Sequence, residues 1–249
     1  MNKTKFIFVA VGFALAMTFT LSCSASAILD ELTGEEVQNN IVSYQGKDYA
    51  TVKIGGKTWM AENLNYAVSG SKCGVSNGSS VSDENTAICE LYGRLYDWVT
   101  AMALGPHCNN SFCSTEIKFP HRGICPEGWH LPTESEWNEL AQAVDVGQGP
   151  AIPLKATDGW AGNANGTNSS GFSAMPSGFG ENGIFNAGYY SYWWSVDQNA
   201  ARGLGDDAYA RFLAWESGVN ANGAPHYIER LNVNTYYKTG LYSVRCVKN

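Results

Sequence analysis

The chain has 249 residues, of which 44% are hydrophobic and only 16% charged, and its formal net charge is −7. That acidic balance argues against nucleic acid and anionic lipid surfaces as partners. Twenty-seven glycines, with many Asn and Ser, point to turns and long loops instead of a helical bundle.

Residues 1–27 begin with Lys3 and Lys5, followed by an apolar run from Phe6 to Leu21 that gives way to small residues. The run falls short of the roughly 20 apolar residues of a membrane span, so it reads as a secretory signal. Two processing sites fit. Ala25-Ser26-Ala27 suits a signal peptidase and leaves Ile28 first. Thr20-Leu21-Ser22-Cys23 resembles a lipobox, which would put lipid on Cys23 and give the chain a membrane contact through that anchor alone. Removing residues 1–27 leaves 14 basic against 23 acidic residues, a net charge of −9. Residues 28–41 read as a polar tether or short leading helix, and 42–249 as a single domain.

The domain starts with a hairpin pattern. Ala50, Val52 and Ile54 alternate with polar residues, Gly55-Gly56 supplies the positive φ angles of a tight turn, and Thr58-Trp59-Met60 returns. Residues 68–88 read as a loop between Cys73 and Cys89. Leu95, Trp98, Val99 and Met102 recur at helical spacing. After a second loop, 104–124, the stretch CPEGWHLPTESEWNEL predicts a helix start. Thr133 and Glu136 form a capping box, Pro132 favours an extended approach, and Trp137, Leu140, Ala141 and Val144 make one apolar face. A Gly/Asn/Ser-rich stretch follows. Short strands are expected at Phe172–Met175, Tyr189–Ser195 and Leu241–Val247, the last with Tyr242, Val244 and Cys246 on one face.

With Cys23 lipidated or discarded, six cysteines remain: Cys73, Cys89, Cys108, Cys113, Cys125 and Cys246. In an exported chain an even number points to disulfides, with 15 possible pairings. None of the spacings is C-x-x-C, which speaks against zinc thiolates. A bridge from Cys125, ahead of the Trp137 helix, to Cys246 would close a loop of about 120 residues, worth about 4–5 kcal/mol in chain-entropy terms.

Six segments, in order, resemble the Fibrobacter succinogenes major paralogous domain: GKTWMAENLNY (56–66), CELYGRLYDW (89–98), CPEGWHLPTESEW (125–137), SGFSAMPSGF (170–179), YYSYWWS (189–195) and YSVRCVK (242–248). HLPTESEW is also similar to a segment of formylglycine-generating enzymes, whose core is C-type lectin-like. The resemblance implies an α+β, C-type lectin-like domain with two helices, short antiparallel strands and long loops, on an exported lipoprotein, and no established activity. Chain proximity and the resemblance together suggest the pairs Cys73–Cys89, Cys108–Cys113 and Cys125–Cys246. Formylglycine-generating enzymes use two reactive C-terminal cysteines and copper, whereas this C-terminal half has only Cys246. The Glu-Pro-Asn, Gln-Pro-Asp and Trp-Asn-Asp motifs of calcium-dependent lectins are absent. Their nearest approximation, Arg230-Leu231-Asn232-Val233-Asn234, lacks the carboxylates that calcium favours.

No motif for a catalytic residue emerges, and no cofactor or metal is expected, with calcium held by the Asn232 and Asn234 amides as the minor alternative. His130 reads as a packed structural histidine. His107 and His121 lie in the cysteine-rich loop without zinc-type spacing, and His226 is isolated. Asp206-Asp207, Glu216 and Glu229 read as solvated loop charges. The aromatics carry the functional signal. Trp59, Trp98, Trp129 and Trp137 are expected in the core, whereas Tyr189–Trp194 should alternate in and out as a strand. Trp160, Trp193, Trp215, Tyr236 and Tyr237 are the candidate ligand-binding residues, for a polysaccharide or a surface protein. The leading expectation is a non-enzymatic binding or adhesion domain, displayed at the cell envelope or secreted. A structural envelope protein comes second, and an enzyme of formylglycine-generating or hydrolytic type third.

Overall fold

A three-stranded meander opens the computed structural model, which describes residues 40–74, 86–181, 184–201, 203–215 and 230–249. Its strands are β1 (Ile41–Tyr44), β2 (Lys47–Ile54) and β3 (Lys57–Met60). Gly55 and Gly56 sit at φ 59° and 82° and link Ile54 to Lys57 in a two-residue turn, as the sequence predicts. Asn40–Asn249 form one compact unit, so the expected tether overlaps the fold at Asn40 and Ile41. The signal segment, Cys23 and the rest of the tether lie outside the described residues, as do Glu216, His226 and Glu229.

The next segment departs from expectation. Lys72–Cys73 (β4) pairs with Arg94–Leu95 (β5) around a helix, α1 (Thr86–Tyr92). The periodicity at 95–102 yields only a five-residue helix, α2 (Trp98–Met102). Asp97 caps it by accepting from Thr100 N at 2.7 Å, which fixes its start after Leu95. After β6 (Trp129–His130) comes α3 (Glu134–Val144), where the predicted capping box is complete. Its Trp137, Leu140 and Val144 are buried. A short helix, α4 (Ala151–Leu154), follows. Phe172–Met175 makes one bridge, Lys155 to Ala174, instead of a strand. Ser173 at φ 54° interrupts the extended chain.

Two small strands, β7 (Gly180–Glu181) and β8 (Ile184–Phe185), precede a three-stranded antiparallel sheet. That sheet consists of β9 (Tyr190–Gln198), β10 (Asp207–Ala214) and β11 (Asn232–Tyr237), in the order β11-β10-β9. Asp207, Tyr236 and Tyr237 are therefore strand residues, not loop residues. The in-out alternation expected of β9 also fails, because Ser191 through Val196 are all buried. Tyr192, Trp194 and Val196 enter one core cluster and Trp193 the other.

The chain returns in β12 (Val247–Lys248), which lies between β3 and β6 in the order β1-β2-β3-β12-β6. The residues leading into it reach β3, the segments at Leu64 and Tyr96, and β9. Backbone bonds run from Leu64 N to Val244 O, from Met60 N to Cys246 O, both ways between Tyr96 and Tyr242, and from Ser243 N to Tyr192 O. Tyr242, Val244 and Cys246 share the first cluster, as their alternation predicts, and Val247 belongs to the second. The secondary structure is α+β. All three suggested disulfides are formed: Cys73–Cys89, Cys108–Cys113 and Cys125–Cys246.

Their sequence separations of 16, 5 and 121 residues set an order of importance. Replacing Cys125 and Cys246 together by Ala should cost about 4–5 kcal/mol, against about 3 kcal/mol for Cys73 with Cys89 and less for Cys108 with Cys113. Urea midpoints at constant m would check the ranking. A Cys108/Cys113 double variant as destabilised as the Cys125/Cys246 one would contradict it.

Candidate functional site

The five candidate aromatics do not share a face. Trp193 is 0% exposed, and its Nε1 donates to Asn63 Oδ1 at 2.8 Å. Trp160 is 5% exposed, its Nε1 donates to Ala174 O at 2.9 Å, and the Lys155 ammonium lies 4.5 Å from its ring. Both are core residues, so their assignment to a ligand surface is corrected: Gly/Asn-rich surroundings at 160 disguise a ring packed inward by its own hydrogen bond. Trp215 is half-buried and meets Tyr189 edge-on at 5.0 Å. Tyr236 packs edge-on against Tyr192 and Tyr242, while Tyr237 is exposed. Tyr237 pairs with Asp207 at one end of β10, and Trp215 follows the other end. Eight strand residues separate them, roughly 25 Å. In the Arg230–Asn234 stretch, Asn234 Oδ1 accepts from Thr235 N at 2.9 Å, a local backbone bond.

His130 sits in a closed polar node. Its Nδ1 lies 2.7 Å from Asn249 Oδ1 and its Nε2 lies 2.9 Å from Glu136 Oε1. Two oxygen partners suit an imidazolium, whose ring nitrogens are both donors. Glu136 also accepts from Thr133 N and Oγ1, and from Lys57 Nζ at 3.2 Å. Burial alone would raise the Glu136 pKa, but the bonds from His130, Thr133 and Lys57 outweigh it and bring it down to about 2. Burial would lower that of His130, but Glu136 and Asn249 raise it. The pair anchors the start of α3 to β6, and His130 is buried. His121 is structural as well, its Nε2 donating to Met102 O at 2.8 Å. Cys246 is held in its disulfide.

A concave surface does occur at a place lined by neither Trp nor Tyr. Phe112, Ser114, Ile117 and Phe119 from the cysteine-rich loop face Val196, Asp197 and Gln198 at the end of β9, around a groove of about 390 Å³. Phe112 is 42% exposed and Phe119 64%. This volume falls within the usual range of ligand clefts, as does a groove of about 350 Å³ beside Ile54 and Val146 that no aromatic ring lines, whereas the cleft beside Arg245 holds only about 90 Å³. Buried Lys238 holds the loop in place: its Nζ donates to Cys108 O, Ser111 O, Gly205 O and Gln198 Oε1 at 2.6–2.9 Å. Gln198 Oε1 also accepts from Cys113 N at 3.1 Å. On the same loop the side chains of His107, Cys108, Cys113 and Glu116 converge, their ligand atoms all within 4.8 Å of one another.

Linkage at the His130–Glu136 pair has opposite signs at its two ends. The lowered Glu136 pKa contributes stability that is present above pH about 4.5 and is lost as pH falls towards 2. The raised His130 pKa contributes stability that is present below pH about 6.5 and is lost as pH rises through its raised value. The pair therefore stabilises most between those limits. His130→Gln should cost about 2–4 kcal/mol at pH 5.5 and less at pH 9. Equal losses at both pH values, measured by urea unfolding, would show that the ring is not charged in the folded state.

Comparison with protein families matches residues 52–248 to the Fibrobacter succinogenes major domain. No curated protein and no solved structure matches the chain. The matched span runs from within β2 to the end of β12 and so takes in the groove, the His130–Glu136 pair and all three disulfides. The chain belongs to the Fibrobacter succinogenes major domain family.

Proposed function

We propose that this is an exported, non-enzymatic binding or adhesion domain of the bacterial envelope, built on a C-type lectin-like plan, and that it takes carbohydrate in the groove between Phe112 and Phe119. Export follows from the signal-like segment ahead of the domain, with Cys23 as a lipid anchor or Ile28 as the first residue of a secreted form. The lectin-like plan is supported by β12 lying beside β3, which brings the two ends of the domain into one sheet, with a second sheet and long loops beyond it.

The observation that carries the binding reading is the pair of exposed rings beside polar side chains. Apolar ring faces stack on the C–H faces of a pyranose, and the Ser114 hydroxyl, Asp197 Oδ1 and the Gln198 amide nitrogen stand at the same groove to meet its hydroxyls. Asp197 Oδ2 and Gln198 Oε1 are held by the scaffold. Contiguous exposed apolar surface rimmed by polar groups marks interaction sites, whereas singly scattered surface hydrophobics do not. A binding role is also consistent with the oxidised state of Cys246 and with the burial of His130 beside its acidic partner Glu136.

A glycan array with the oxidised chain, run with and without a calcium chelator, tests this. Saturable, chelator-insensitive binding is expected. Phe112→Ala with Phe119→Ala should weaken it by about tenfold or more, since each stacked ring is worth roughly 0.5–1.5 kcal/mol, while Trp215→Ala should leave it intact. A blank array with folded protein, or binding indifferent to the phenylalanine pair, would overturn the assignment.

A further inference from the structure

The cysteine-rich loop carries a second chemistry, independent of the carbohydrate reading. We infer that the Cys108–Cys113 disulfide masks a zinc-type metal site, which His107 Nε2, Cys108 Sγ, Cys113 Sγ and Glu116 Oε1 complete when the bond is reduced. Two thiolates, an imidazole and a carboxylate form a donor set suited to tetrahedral Zn²⁺. The chain spacing, His-Cys-x4-Cys-x2-Glu, does not resemble a zinc motif. The 3₁₀ turn Pro106–Asn109 and the turn bringing Glu116 N onto Cys113 O are what gather the four residues.

The geometry is close to what a metal requires. Bonds of about 2.0–2.3 Å at a tetrahedral centre put neighbouring ligand atoms roughly 3.3–3.8 Å apart. Cys108 Sγ already lies 3.5 Å from His107 Nε2 and 3.9 Å from Glu116 Oε1. His107 Nε2 and Glu116 Oε1, at 2.7 Å, must part by about an ångström, as two ligands do when a cation replaces the proton between them. The two sulfurs must separate further, which reduction allows.

The backbone does not depend on the sulfur–sulfur bond for its shape. Lys238 Nζ holds the carbonyls of Cys108 and Ser111, Gln198 Oε1 holds Cys113 N, and Ser111 Oγ donates to His107 O at 2.7 Å. The disulfide closes only a five-residue separation, so its loss frees little chain entropy. The sulfurs are buried, while the His107 and Glu116 side chains are 62% and 42% exposed. A metal ion therefore approaches from the side where the two harder ligands stand.

The chemistry balances with a dithiol reductant. Its two thiols become a disulfide, passing two electrons and two protons to Cys108 and Cys113. Metal binding then releases one proton from each cysteine thiol, and the proton between His107 Nε2 and Glu116 Oε1 moves to His107 Nδ1 or to solvent.

The experiment is a cobalt titration of the full chain before and after reduction by a phosphine, with thiols counted. The reduced chain should show the thiolate-to-cobalt charge-transfer band and the visible bands of tetrahedral cobalt at one equivalent, and zinc should displace them. The oxidised chain should show neither. His107→Ala with Glu116→Ala, which keeps every cysteine, should weaken the reduced site by about tenfold or more, and Cys108→Ser with Cys113→Ser should abolish it. The inference fails if the reduced chain gives no thiolate–cobalt band, if the His107/Glu116 variant binds as tightly as the parent, or if the band survives loss of Cys108 and Cys113.

Discussion

The burial of the Arg245 guanidinium is the constraint around which the domain is arranged. It is 1% exposed, and its bonds go to Asn63 Oδ1 at 2.8 Å, Met60 O, Phe172 O and Ser173 O. Burial pulls its pKa down to about 9, opposed by Glu62, so it remains a cation at neutral pH. A charge in such a place is costly unless each donor is met, and the acceptors come from widely separated parts of the chain. Ser173 adopts its left-handed conformation with Asn168 holding both its N and its Oγ, and so two successive carbonyls reach one side chain. Phe172 and Trp193 cover the guanidinium with their rings at 4.3 and 5.9 Å.

Arg245 is one of three cations used in this way. Lys155, also 1% exposed, donates to Ala214 O at 2.6 Å beside the Trp160 ring. Lys238, fully buried, ties the cysteine-rich loop to β9 and lies 4.5 Å from the Trp98 ring. Each binds backbone carbonyls, and those of Phe172, Ser173, Ser111 and Gly205 lie in segments outside the strands and helices. A domain with long irregular segments must account for those carbonyls somehow, and an ammonium or guanidinium, with several donors and no acceptor, serves several at once. This explains how the stretch from Lys155 to Tyr189, poor in regular structure, is still packed against the core.

The same device separates the proposed binding surfaces from the scaffold. The His130–Glu136 node and the disulfide from Cys125 to Cys246 fix the joint between α3 and the terminal strand, away from solvent. The cysteine-rich loop is held at its base by Lys238 and Gln198, yet presents Phe112, Phe119, His107 and Glu116 outward. A rigid base with exposed rings and ligand atoms is the arrangement that binding asks of a loop, because ordering has already taken place before a ligand arrives.

What the sequence determined by itself was local or periodic. The Gly55-Gly56 turn, the Thr133–Glu136 capping box, the apolar face of α3 and the alternation of Tyr242, Val244 and Cys246 follow from backbone geometry over a few residues. The oxidation of the six cysteines followed from their even number and the signal-like leader, and their pairing from proximity together with the family resemblance. Tertiary structure decided the rest. Six consecutive residues of β9 are buried because a sheet covered on both faces erases the two-residue period. β10 was hidden because its three alanines carry little strand signal until a partner strand supplies the ladder, whereas in β11 Val233, Thr235, Tyr236 and Tyr237 carry that signal beside two asparagines. Trp160 and Trp193 turned inward, and Phe112 and Phe119 outward, because exposure depends on which distant segment covers a ring. The convergence of His107, Cys108, Cys113 and Glu116 depends likewise on how Lys238, more than a hundred residues away, gathers the loop that bears them.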